Sequence, residues 1–72
     1  MSIPLQIENF STIMDDAFDE WVQACHYLER NPGSKMRIDE VRKAHEKFLI
    51  ARQRYIKLIE EISLYLKSLQ RN

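Results

Sequence analysis

A chain of 72 residues carrying 11 Lys+Arg against 11 Asp+Glu, 44% hydrophobic residues and a single Cys reads as one small domain, residues 1–72, without net charge. At this length folding buries only about 60% of the surface the unfolded chain exposes, so the core is marginal without a staple or a partner. One Cys excludes an internal disulfide, and with two His it falls short of a structural zinc set, so a reducing, cytoplasmic setting is expected. No apolar run approaches the roughly 18 residues of a membrane span, and the opening Met1 to Phe10 has no basic stretch ahead of an apolar one, so neither a membrane segment nor a signal peptide is expected.

In chain order, Ile3-Pro4-Leu5 predicts an extended arm over residues 1–6, because proline lacks an N–H and pushes its predecessor toward extended geometry. From Ile7 the pattern becomes helical: Ile7, Met14, Trp21 and Leu28 recur every seventh residue, Phe10, Ala17 and Ala24 form the complementary row, and Phe18 and Cys25 lie alongside. Thr12 with Asp15 resembles a capping box, and Asp15, Asp16, Asp19 and Glu20 suit a helix N-terminus, so this first helix is expected over 7–30, beginning near Ile7 or as late as Ser11. Asn31-Pro32-Gly33-Ser34 is the one cluster of strong breakers and predicts a turn over 31–34. Ser34 is a candidate N-cap for a longer second helix over 35–70, whose rows are Val41, Phe48, Tyr55, Ile62, Leu69 and Ala44, Ala51, Leu58, Tyr65. The small residues Ala17, Ala24, Ala44 and Ala51 on both proposed inner faces allow close backbone approach. The fold class is therefore all-α, a helical hairpin with a shorter first and a longer second helix.

Two features point to self-association. A first helix of about 36 Å folded back on a second of about 54 Å runs out opposite Tyr55 to Leu58. Ile59, Ile62, Leu64, Tyr65, Leu66 and Leu69 are then left without cover. On a helical wheel the apolar arc of the second helix also spans roughly half the circumference, because Ile38, Leu49, Ile56 and Ile59 widen the seven-residue stripe. Both observations fit homodimerisation into a four-helix bundle, with Trp21, Phe48, Arg52, Tyr55, Ile59, Ile62, Tyr65, Leu66 and Leu69 as the expected self-association residues. The zero net charge hides a split: residues 1–31 hold six acids and one base, residues 32–72 ten bases and five acids. Complementary halves of this kind act as a register device more than as a source of stability.

Chemistry is thinly represented. Arg52 falls inside the apolar arc, where a buried guanidinium would need an acid from the first helix or from a second subunit, and His45 lies on the arc's flank. Cys25 reads as a small core hydrophobe. No Gly-rich phosphate loop, metal-ligand spacing or nucleophile with a neighbouring base is present, so no enzyme, no metal and no cofactor are expected. Asp15, Asp16, Asp19 and Glu20 form a candidate acidic face for a basic protein partner. Lys35, Arg37, Arg42, Lys43, Lys47, Arg54 and Lys57 suggest nucleic acid as a third possibility, but Asp39, Glu40 and Glu46 interrupt the set and the pI is about 6.7.

In general plan the chain resembles small dimeric helical hairpins of the plasmid-copy-control type, a likeness of architecture. The order of helix, Pro-containing turn and longer helix, carried by Asn31 to Ser34 and by Tyr55 to Ile62, is also similar to that of type III secretion needle subunits. The first likeness implies a closed dimer and the second a filament-forming structural subunit. The reading preferred from the residues is a small non-catalytic helical protein, regulatory or adaptor in kind, that acts through protein–protein contact with itself and with another protein.

Overall fold

The structure, a computed structural model, describes residues 2–70 and consists of two antiparallel helices, α1 (Ile3–Arg30) and α2 (Lys35–Gln70). α1 begins four residues earlier than expected, which removes most of the extended arm over 1–6: Ser2 is extended, Ile3 to Gln6 are helical, and Met1 lies outside the described residues. Pro4 does not oppose this start, because it occupies the first turn, where backbone N–H groups have no intrahelical acceptor and the fixed φ of proline suits a helix. Ser2 caps the helix, its Oγ accepting from the Leu5 N–H at 3.3 Å, while the Gln6 N–H donates to the Ser2 carbonyl. With the cap placed there, Ser11, Thr12 and Asp15 are interior helical residues and the capping box expected from them is not formed.

The turn is where the breakers predict it. The Asn31 N–H donates to the Leu28 carbonyl at 3.0 Å and closes α1. The Ser34 hydroxyl accepts from the Arg37 N–H at 3.3 Å, and the Ser34 carbonyl accepts from Ile38, which opens α2. Gly33 has no positive φ, and a Cβ at its position would meet nothing within 4 Å, so the turn requires neither a left-handed backbone nor the absence of a side chain there.

Between the helices runs a single seam with the alternating four-and-three spacing of a coiled coil. Ile3, Ile7, Phe10, Met14, Ala17, Trp21, Ala24 and Leu28 come from α1; Arg37, Val41, Ala44, Phe48, Ala51, Tyr55, Leu58 and Ile62 come from α2, and every one of the sixteen is buried or half-buried. Both seven-residue rows read from the sequence face this seam. The most enclosed residues are Ala17, Ala24 and Ala51, small side chains at which the backbones draw together, and no large side chain is fully buried.

That packing leaves the chain with an unusual shape. It measures 60 × 16 × 15 Å with a radius of gyration of 17.0 Å, whereas a compact domain of this length has about 11 Å. It exposes 5958 Å², and a compact monomer of its 8.7 kDa mass exposes about 4,700 Å², so the excess is about 1,200 Å². Two helices alone can shield one stripe of each other and no more.

Candidate self-association surface

Seen along the hairpin, the seam has two flanks, and the sequence dresses them differently. On one, Glu20 of α1 and Lys47 of α2 meet, the ammonium donating to both carboxylate oxygens at 3.0 and 2.8 Å. The neighbouring positions of α2 here are Glu40, Arg54 and Glu61, next to Lys43 and Lys57. Ile13, Ile50 and, on the overhang, Leu64 are aliphatic residues on this side, and the two isoleucines border a groove with Lys43, Glu46, Lys47 and Arg54. Near the turn the Arg37 guanidinium lies 4.9 Å from the centre of the Tyr27 ring while it donates to Glu40 at 2.9 Å, a cation–π contact supported by an ion pair.

The other flank is apolar. Phe18 and Val22 of α1 and Ile38, Leu49, Ile56, Ile59 and Leu66 of α2 are all large hydrophobic residues exposed there. They fall at the two heptad positions beside the seam, so that on α2 they form a second stripe, Ile38, His45, Leu49, Arg52, Ile56, Ile59, Leu66, adjacent to the first. This second stripe is what broadens the arc on the helical wheel. An aromatic cluster joins it to the seam: Trp21 stacks on Phe48 with ring centroids 5.6 Å apart and 25° between planes, His45 lies 4.5 Å from Trp21, and Phe18 meets both Trp21 and Phe48 edge-on.

The residues singled out from the sequence divide accordingly. Trp21, Phe48, Tyr55 and Ile62 are half-buried in the seam and hold the hairpin together, while Ile59 and Leu66 lie on the apolar flank. Tyr65 and Leu69 continue the seam rows beyond the start of α1, where they are 52% and 53% exposed. The overhang is shorter than expected, because the early start of α1 brings Ile3 beside Leu58, Ile62 and Tyr65; Leu64, Tyr65, Leu66 and Leu69 remain uncovered.

Arg52 departs from expectation. It is exposed and has no ion-pair partner among the described residues; its position beside the seam carries the side chain onto the apolar flank and out of the interface between α1 and α2. His45 is half-buried against Trp21. Cys25 is half-buried with a free thiol. Of the candidate acidic face, Asp15, Asp16 and Asp19 are exposed around the outer side of α1, and Glu20 is turned to the opposite flank by its bond to Lys47.

Phe18, Val22, Ile38, Leu49 and Ile56 complete the flank and were not among the residues expected to mediate self-association. Their signal is the apolar character of the two heptad positions next to the seam on one side, set against charged residues on the other. Among the described residues no three His, Cys, Asp or Glu side chains converge, and no helix is long and apolar enough to cross a membrane. No protein-family model, no curated protein and no solved structure matches the chain.

Proposed function

We propose that this chain is a small non-catalytic helical protein that works through protein–protein contact, first of all with itself, in a regulatory or adaptor capacity. The observation that carries this reading is the apolar flank from Ile38 to Leu66, with Phe18 and Val22 opposite, on a chain whose own core contains no fully buried large side chain. At ~25 cal/mol per Å² of apolar area, covering several such residues stabilises a marginal hairpin by an amount comparable to its whole folding free energy. The excess surface of about 1,200 Å² per chain also matches or exceeds the roughly 800 Å² that each partner buries in a standard interface.

A second reading, a filament-forming structural subunit, draws on Leu64, Tyr65, Leu66 and Leu69 at one end of the rod, an asymmetric feature suited to head-to-tail contact. Solution mass separates the two. Light scattering coupled to size exclusion, from low to high micromolar protein, is expected to return a constant mass of twice 8.7 kDa. Mass that grows with concentration would favour the filament, and a monomer throughout would overturn self-association.

A further inference from the structure

Resting on that reading, we infer that the second copy is related to the first by a two-fold axis parallel to the helices, so that α1 of each chain lies on α2 of the other and both turns sit at the same end of the bundle. Stacking two hairpins by their apolar flanks permits two closed arrangements. With the axis across the helices, α1 lies on α1 and α2 on α2, with turns at opposite ends. With the axis along them, unlike helices pair.

Charge on the flank distinguishes these arrangements. At the two heptad positions that make up the flank, the charged residues of α1 are Glu8, Asp15 and Glu29, all acidic, and those of α2 are Arg42 and Arg52, both basic. An axis across the helices lays acids over acids and guanidinium over guanidinium; an axis along them brings opposite signs together. A rotation about the long axis also includes no sliding, so residues keep the heights they have within one hairpin. The contacts Glu20 to Lys47, Phe18 to Phe48 and Trp21 to His45 fix those heights. They put Arg52, which has no ion-pair partner among the described residues of its own chain, level with Asp15 of the partner subunit.

Leu64, Tyr65, Leu66 and Leu69 extend past the start of α1. An axis along the bundle places both overhangs at one end; the other axis places them at opposite ends.

Two measurements test this. The first is the distance between spin labels at Lys67→Cys in a Cys25→Ala chain whose dimeric mass has been checked. Lys67 is exposed on the outer side of α2. Labels at one end of a bundle with axes about 10 Å apart should lie within about 35 Å of each other, whereas turns at opposite ends would place them about 50 Å apart. The long distance would overturn this arrangement and leave self-association intact, and an unmodified monomer would overturn both.

The second is a charge exchange. Arg52→Glu and Asp15→Arg chains should each self-associate about tenfold or more weakly than the original, and mixing them should restore a dimer containing one chain of each, because both unlike pairs are then complementary. Failure of the mixture to pair preferentially would remove the Arg52 to Asp15 contact.

Discussion

The two flanks of this hairpin share one seam, one pair of helices and one set of heptad spacings, yet they end differently at the surface. On the Glu20 and Lys47 side most positions beside the seam carry charged or polar side chains that bond within the chain or to water, with Ile13 and Ile50 set among them. On the Phe18 and His45 side they carry Ile38, Leu49, Ile56 and Ile59, which find no cover in the chain. Pairing of α1 with α2 requires only the seam, so the apolar flank is surplus to the hairpin fold, and in the arrangement proposed above a second copy covers it. In that arrangement the polar residues on the first flank confine the contact to one side.

The comparison breaks most directly at the seam, on which both flanks depend. Trp21 joins the seam to the apolar flank, stacked on Phe48, touched by His45 and packed edge-on by Phe18. Trp21→Ala should destabilise the chain by about 2–3 kcal/mol, toward the low side for removal of a core aromatic because the ring is half-buried. Urea unfolding followed by far-UV circular dichroism at fixed protein concentration measures this. A loss within 0.5 kcal/mol would show that the alanine rows alone hold the helices together.

A sharper comparison places the same charge on each flank. Ile56 and Ile13 are both exposed aliphatic residues of a helix surface, one on the apolar flank and one on the polar flank. Ile56→Lys should weaken self-association about tenfold or more, because an ammonium would have to lose its water in the contact. Ile13→Lys should leave the dissociation constant within about twofold, since it adds one more charge to a side that stays wet. Sedimentation equilibrium on the two variants tests the assignment of the flanks; equal effects, or the reverse order, would show that the contact lies elsewhere.

How much of this could be read from the residues follows from what each pattern encodes. The seven-residue rows located the seam, because a residue buried between two helices must recur with the heptad, and Asn31 to Ser34 located the turn, because its breakers and cap act locally. The start of α1 was misplaced because a proline near a chain start admits two meanings. Pro4 bars a helix that continues through it but suits one that begins there, and the cap that decides between them is Ser2, outside the window in which Thr12 and Asp15 drew attention. The placement of Arg52 outside the seam has a related reason. The centre of a broad apolar arc on a wheel is the middle of two merged stripes, so a residue at that centre lies beside the seam and not within it. Only the direction of the partner helix separates the stripes, and that is a tertiary fact.

The smallest effect tests the polar flank. The Lys47 ammonium reaches both oxygens of Glu20 across 27 residues of sequence, but the side chains are 62% and 54% exposed, so water and salt screen the pair. Glu20→Gln should cost about 0.2–0.5 kcal/mol at low ionic strength and nothing measurable at 1 M salt, with the dimer mass unchanged under both conditions. Paired unfolding curves with and without salt give the number. A cost above 1 kcal/mol, or a change of mass, would mean that this flank is also covered in the assembled protein, because only desolvation raises an exposed ion pair to that value. The expected small and salt-sensitive cost is thus a statement about assembly as much as about the pair: it requires the Glu20 side of the hairpin to remain in water while the Ile56 side leaves it.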